Sequence, residues 1–544
     1  MLVCLVLLTT CHGQNETTPK TILMAVLSPP KANMAHGNLV RAFAVSNEAR
    51  RRGWKVAWMI GSMHRPGLEA MLEKKGVAGV DGIYEMVEKP RFLSFTTQSL
   101  SDKMAAGTGD APTIPWWLTS TQMDGKRTFG NLYMAWWLMG FARQSILKKI
   151  VAEQLTIYSR VKPDAIYCEI DMPVYLSAHL AQIPIIETFS SPMYLYRTSF
   201  LAYWLNSMTK ELLQDFSVKD LLYSKYQSLD DIRGRDINLK VAPTVPEMET
   251  EIAQGRPNLI FTGQLLPLQL NAAETVQEKM AEIEKLREKG RKLFPNQRVI
   301  FCYFGQGSIP FEKLLKEMPE FCDKLNKLES SKPGYIPYHC HVSSTSVKEP
   351  FNISEYTHFS KWYDGDVITS VSELTMSHGG ANSVAQAIYF GVPQLVNSGF
   401  MFERSFNGYS LEKTGSGFVM DPLTFSAEEM LRILKHHPIE KMKENAKTVQ
   451  QTMLRQRGVR QLFDEVEKWL PSQQLKNEKH KELISVTIPH VEAVLKKEKD
   501  ELIIFTLLRD VGVLFSLVIL FVLTIPIRFG VFVLSKIYKC FKRN

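Results

Sequence analysis

The chain has 544 residues, 45% of them hydrophobic, enough apolar material for two or three domain cores, which excludes a fibrous or disordered polymer. Its formal net charge of +9 is a small difference between 65 basic and 56 acidic residues, with few dense basic runs outside the extreme C-terminus, so no nucleic-acid partner is expected. Seven cysteines form no CxxC pair, and His339-Cys340-His341 reads as a strand with alternating faces, so no metal is expected.

The apolar run Met1 to Leu8, with the small residues Cys11 and Gly13 at −3 and −1 of a cleavage site, makes residues 1–13 a signal peptide; a buried first strand is the other reading. The sequons Asn15-Glu16-Thr17 and Asn352-Ile353-Ser354 are compatible with a lumen. Thr21 to Leu27 is a buried strand, Leu39 to Arg52 a helix stopped by Gly53, and Lys55 to Ile60 the next strand. Asp164 to Cys168, Pro173 to Ala181 and Ile183 to Thr188 read as strand, helix, strand, and the same alternation restarts near Arg298. Such alternation predicts parallel sheets covered on both faces. A domain boundary is expected at Pro257 to Gly263, before the charged helix Glu274 to Lys292.

Val371 to Met376 is an apolar strand, Asn382 to Phe390 a helix stopped by Gly391, and between them lies Ser377-His378-Gly379-Gly380-Ala381. Adjacent glycines let a ligand approach the backbone, and the free N–H groups of the first helical turn favour an anion; a diphosphate fits that description. Past a polar, Lys-rich segment from about 472 to 500, Val511 to Ile527 is uncharged throughout. A membrane-spanning helix over 510–533 would hold Arg528 near its cytoplasmic end, followed by a basic tail at 534–544.

His378-Gly379-Gly380, Asn382-Ser383, Gly391-Val392-Pro393, Phe400, Asn407 and Gly415/Gly417 fall in the order, and nearly the spacing, of the UDP-glycosyltransferase signature. The chain resembles that superfamily, which includes the animal UDP-glucuronosyltransferases and the plant UDP-glucosyltransferases. The resemblance implies an α/β fold of the GT-B type, two Rossmann-like doubly wound domains facing across a cleft, plus the C-terminal transmembrane helix. Residues 14–260 would bind the acceptor and 261–500 the nucleotide sugar.

On the donor side the resemblance puts His378 and the backbone of Gly379, Gly380, Asn382 and Ser383 on the phosphates, with Gly307 and Ser308 opposite. It puts Trp362 on the uracil, a core tryptophan being the other reading, although Tyr363-Asp364-Gly365 follows where the family has a Pro-Gln pair. Gln386 stands where the family has an acid for the ribose hydroxyls. Glu403-Arg404, or Phe402-Glu403 without an insertion, stands for the Asp-Gln pair on the sugar.

The base belongs on the loop after the first strand, where His36 is the one histidine; strict spacing gives Asn38 instead. Glu169, with Asp171 as a substitute, would orient it. Trp116-Trp117, Tyr133, Trp136-Trp137, Phe141 and Tyr194 to Trp204 would surround the acceptor, with burial in the core as the competing reading.

The implied function is a membrane-anchored, inverting transfer of a glucuronosyl or glucosyl group from a UDP-sugar to a small lipophilic acceptor. The UDP-sugar is donor substrate, and no cofactor or metal is expected. Expected partners are donor, acceptor, the membrane and a second copy of the chain, in a single-pass type I arrangement in the endoplasmic reticulum with luminal domains. The altered contacts at Gln386, Glu403 and Arg404 carry the alternative, a catalytically inactive GT-B protein that binds a nucleotide or lipid, or partners an active transferase.

Overall fold

The computed structural model describes residues 19–26, 36–61, 65–74, 81–86, 120–123, 126–129, 136, 141, 144–169, 171–188, 200–216, 228–235, 237–249, 258–265, 275–304, 309–398, 402–420 and 425–500. The expected signal peptide, the Gly307/Ser308 loop, the membrane span at 510–533 and the basic tail lie outside the described residues. Among the described residues no helix is long and apolar enough to cross a membrane.

The first half of the chain runs β1 (Thr21–Val26), α1 (His36–Arg51), β2 (Lys55–Gly61), α2 (Arg65–Lys74), β3 (Gly82–Met86), a hairpin of β4 (Ser120–Met123) and β5 (Lys126–Phe129), α3 (Gln144–Val161), β6 (Ala165–Glu169), α4 (Met172–Leu180), β7 (Ile185–Thr188), α5 (Phe200–Phe216), α6 (Leu229–Arg233), β8 (Leu239–Ala242) and β9 (Leu259–Phe261). The second half runs α7 (Val276–Leu293), β10 (Arg298–Tyr303), α8 (Phe311–Glu329), β11 (Tyr338–Ser343), β12 (Phe351–Ser354), β13 (Thr357–Ser360), α9 (Gly365–Val371), β14 (Ser372–Ser377), α10 (Ala381–Phe390), β15 (Gln394–Val396), α11 (Phe402–Thr414), β16 (Gly417–Val419), α12 (Ala427–His436), α13 (Ile439–Arg455) and α14 (Val459–Asp500).

Strand β1, Thr-Ile-Leu-Met-Ala-Val, is apolar on both faces and buried along nearly its whole length, as a central parallel strand requires. It lies between β2 and β6 in a seven-stranded sheet ordered β3-β2-β1-β6-β7-β8-β9. The second seven-stranded sheet is ordered β12-β13-β11-β10-β14-β15-β16, parallel except for the antiparallel edge strand β12. Helix α7 enters this domain on a capping box, Thr275 accepting from the Glu278 N–H while the Glu278 side chain accepts from Thr275.

The winding direction reverses between β1 and β6 in the first sheet and between β10 and β14 in the second. Ligands of open α/β sheets sit outside the carboxyl ends of the strands at such reversals. Val26 is in register with Glu169, and Tyr303 with Ser377, so those residues mark the two switch points.

Helix α14 corrects the expected domain limits. It follows the second domain in sequence, yet Leu462, Phe463 and Val466 join the first domain's core on one face and Val491 joins it on the other. Arg52 fixes this return with ion pairs to Asp464 at 2.6 Å and Glu467 at 2.8 Å. The Lys-rich segment is therefore the continuation of a packed helix, and the range 261–500 divides in space near Val459. Trp136 and Phe141, expected at the acceptor, are fully buried in the first domain's core. Among the described residues the four cysteines, Cys168, Cys302, Cys322 and Cys340, are unpaired and buried.

Candidate active site

Strand β14 ends at Ser377 and α10 begins at Ala381, so His378-Gly379-Gly380 is the whole turn between them. Gly379 has φ 79°, and a Cβ there would lie 2.6 Å from Val396 Cγ1 and 2.8 Å from the Arg404 carbonyl oxygen, so glycine alone fits. The Gly379 N–H donates to Ser377 Oγ at 3.1 Å, and Asn407 Nδ2 donates to the Gly379 carbonyl at 2.9 Å. Gly380 caps α10 and no side chain takes its first N–H groups, which leaves the positive end of the helix facing the cleft.

Two side chains bring to this turn a buried nitrogen that makes no hydrogen bond, His378 Nδ1 and Arg404 Nη1. His378 Nδ1 is buried and makes no hydrogen bond. Burial, and then the charge of Arg404, drive the His378 pKa down to about 3, so the ring is neutral at physiological pH. Its edge meets Tyr303 with ring centroids 6.1 Å apart. Arg404, near the start of α11, has a buried Nη1 with no partner; burial lowers the pKa of the guanidinium and nearby Glu403 opposes that. It remains a cation.

The first domain presents the opposite condition. Glu169, at the end of β6, is fully buried and its carboxylate is surrounded by donors. Oε1 accepts from Arg41 Nε at 3.1 Å and Tyr167 Oη at 2.5 Å, and Oε2 accepts from Arg41 Nη2 at 2.9 Å and Thr188 Oγ1 at 3.0 Å. All acceptor positions of this carboxylate are thereby used. Burial alone would lower the Arg41 pKa, but the charge of Glu169 and its hydrogen bond raise it overall.

Arg41 is the site residue that the sequence reading missed. It sits in Leu39-Val40-Arg41-Ala42-Phe43, a cation on the apolar face of α1, and that misfit was the available signal. Besides Glu169, its Nη2 donates to Asn38 Oδ1 at 2.6 Å and its Nη1 to Asn382 Oδ1 at 3.0 Å, which crosses the cleft. Asn382 Nδ2 in turn donates to the Gly37 carbonyl at 3.3 Å, and a Cβ on Gly37 would come within 3.1 Å of it. The N-terminal ends of α1 and α10 thus abut. His36 is the first residue of α1, and its side chain lies outside the described residues. Asp171, two residues after Glu169, heads α4 without a capping bond, and burial pushes its pKa up to about 7.

Trp362 is 73% exposed, which removes the core reading and leaves a bare aromatic face. Gln386, half-buried on α10, donates to Asp366 Oδ1 at 2.7 Å, so α9 supplies a carboxylate next to the position where the resemblance expected one. Ser383 is half-buried in the first turn of α10. Between the domains lies a small cavity of about 50 Å³, lined by Arg41 and Thr188 on one side and by Ala381, Glu403, Phe406 and Asn407 on the other.

No protein-family model and no curated protein sequence matches the chain. Among solved structures, the fold is similar to that of CalG4, the calicheamicin glycosyltransferase, at a TM-score of 0.52 and 14% identity, over 84% of this chain and 99% of that one. The glycotransferase of kitacinnamycin aligns at a TM-score of 0.49 and 13% identity, over 83% of this chain and 99% of that one. SnogD from Streptomyces nogalater, a glycosyltransferase, aligns at 0.45 and 13%, over 83% and 100%. The first of these establishes the architecture: two Rossmann-like domains in the GT-B arrangement.

Proposed function

We propose that the chain is a glycosyltransferase that moves a hexosyl group, glucuronosyl or glucosyl, from a UDP-sugar to the hydroxyl of a small lipophilic acceptor with inversion, while anchored to a membrane by residues 510–533. The observation that carries this reading is the uncapped N-terminus of α10, joined to the His378-Gly379-Gly380 turn, at the switch point of a sheet whose fold CalG4 shares. A diphosphate placed there meets the helix amides and a neutral imidazole N–H. Exposed Trp362 suits stacking on a pyrimidine, and the Gln386–Asp366 pair suits the ribose hydroxyls.

In the reaction, a base in the first domain takes the acceptor proton, the oxygen attacks the anomeric carbon from the face opposite the diphosphate, and the bond to the leaving group breaks with its electrons passing to UDP. His36 has the loop position for that base, and Asp171, with a pKa near 7, has the proton affinity. Glu169, committed to Arg41, Tyr167 and Thr188, serves better as the anchor of α1 than as the base.

The Arg41–Asn382 contact favours a second reading, a GT-B protein without turnover, because Asn382 lies at the head of the phosphate-binding helix. Release of UDP from UDP-glucose and UDP-glucuronate, measured with a panel of lipophilic alcohols and phenols, separates the two. Acceptor-dependent release supports transfer; UDP binding with no release under any acceptor sinks it in favour of the second reading.

A further inference from the structure

Asn382 stands in the first turn of α10, yet both ends of its side-chain amide are taken by the other domain. Its Oδ1 accepts from Arg41 Nη1 at 3.0 Å, and its Nδ2 donates to the Gly37 carbonyl at 3.3 Å. A guanidinium only donates and a carbonyl only accepts, so these two partners fix which way the amide faces. On the first-domain side, Arg41 needs only Nε and Nη2 to hold both oxygens of Glu169. Nη1 is left over from that pair and is the atom that reaches Asn382. Arg41 also feels the charge of Glu403 on α11, and the two line the interdomain cavity, whose 50 Å³ has room for a few waters. The heads of two second-domain helices thus face one buried cation that Glu169 holds in place.

We propose that Arg41 and Asn382 are positioning residues, a clasp that seats the head of α1 against the phosphate-binding turn and so sets the acceptor side of the cleft over the bound donor. The inference rests on the transfer reading above and deepens it. Helix α1 begins at His36, whose loop position suits the base, and the clasp holds the next two residues: Gly37 through its carbonyl, and Asn38 through Oδ1, which accepts from Arg41 Nη2 at 2.6 Å. Only the side chain of Asn382 is used. Its backbone N–H, in the uncapped first turn of α10, stays available to the diphosphate. Transfer between groups carried by two domains depends on such seating, since a displacement of about 1 Å at the reacting atoms can cost about 100-fold in rate.

The test separates binding from turnover in the full-length protein in detergent, for the wild type, Asn382→Ala and Asn382→Asp. Calorimetric titration gives the Kd of UDP, acceptor-dependent release of UDP from UDP-glucose and UDP-glucuronate gives kcat, and hydrogen–deuterium exchange reads α1. Asn382→Ala keeps the Arg41–Glu169 pair and the backbone N–H. It should lower kcat roughly 10- to 100-fold, leave the Kd of UDP within about threefold, and speed exchange in α1, in the domain that was not mutated. Asn382→Asp keeps an acceptor for Arg41 Nη1 but sets a carboxylate beside the diphosphate. Its kcat should recover above that of the Ala variant while its Kd for UDP rises, a pair of opposite movements that a side chain serving stability alone would not produce. A Kd for UDP that rises in Asn382→Ala as far as kcat falls makes the side chain a phosphate contact and overturns the clasp. Unchanged exchange in α1, or full kcat in Asn382→Ala, overturns it as well. A wild-type protein that binds UDP without any turnover sinks the transfer reading and the positioning role with it; the exchange comparison then decides by itself whether the two domains are clasped.

Discussion

The two sides of the cleft are built from similar residue types and arrive at opposite conditions. On the first-domain side, a buried cation and a buried acid, Arg41 and Glu169, satisfy each other completely, with Tyr167, Thr188 and Asn38 filling the remaining positions. On the second-domain side, Arg404 and His378 are half-buried, and Nη1 of one and Nδ1 of the other are buried atoms that nothing in the described protein meets. A completed network rigidifies the end of a sheet, whereas an incomplete one at a helix N-terminus stores an interaction for a ligand. Mutations in the first should therefore cost stability and mutations in the second should cost affinity.

The largest effect is expected for Glu169→Ala. It leaves Arg41 buried without its counter-charge, a change that costs about 3–5 kcal/mol of folding stability. Chemical denaturation reads it, and a loss below 1 kcal/mol would show that the network on this side is as dispensable as a surface pair. Asp171→Asn comes next and depends on pH. In the unfolded chain this proton leaves near pH 3.8, while the folded protein keeps it up to about pH 7. Stability conferred by the wild-type carboxyl therefore falls as pH rises through that window and is level above it, with a total on the order of 4 kcal/mol. Melting curves between pH 4 and pH 8 should show a slope in the wild type that the Asn variant lacks. Parallel curves would mean that Asp171 is ionised when folded.

What was legible in the sequence follows this same division. The His378-Gly379-Gly380 turn could be read because its chemistry is local: strand, turn and helix lie within about twenty consecutive residues, and φ 79° at Gly379 demands glycine. The alternation of strands and helices gave the parallel sheets for the same reason. Arg41 was illegible because its meaning comes from Glu169, 128 positions away, and from Asn382, 341 positions away. The Asp366 carboxylate beside Gln386 was missed because the two meet from different helices. The return of α14 to the first domain was hidden since an amphipathic helix does not declare which core it covers; Arg52 with Asp464 and Glu467 decides it.

On the incomplete side, His378→Ala should weaken UDP binding by about 1.5–3 kcal/mol, the usual value of a hydrogen bond to a charged group. Its Tm should barely move, because Nδ1 has no partner to lose. The imidazole also contributes a pH term. Its pKa falls from an ordinary 6.5 to about 3 on folding, so the neutral ring opposes folding as pH drops through that range, and the Ala variant should be the less acid-sensitive protein. An unchanged Kd for UDP in a folded variant would remove His378 from the donor site.

The smallest effect sharpens the comparison most, because it tests a residue with no structural duty at all. Trp362 is 73% exposed, and its backbone, not its indole, is what the structure uses: the Trp362 N–H and carbonyl both meet Ser360 Oγ. Nothing in folding favours an indole left in water at the tip of β13, so its value must come from what stacks on it. Trp362→Ala should leave the Tm of the unliganded protein where it is and weaken UDP binding by about 1 kcal/mol, the scale of one aromatic contact. Trp362→Phe should recover part of the loss, and binding of inorganic pyrophosphate should be indifferent to both variants. If pyrophosphate and UDP weaken together, Trp362 acts by shaping the phosphate turn; if neither changes, the base lies elsewhere in the cleft and the exposed indole faces something other than the donor.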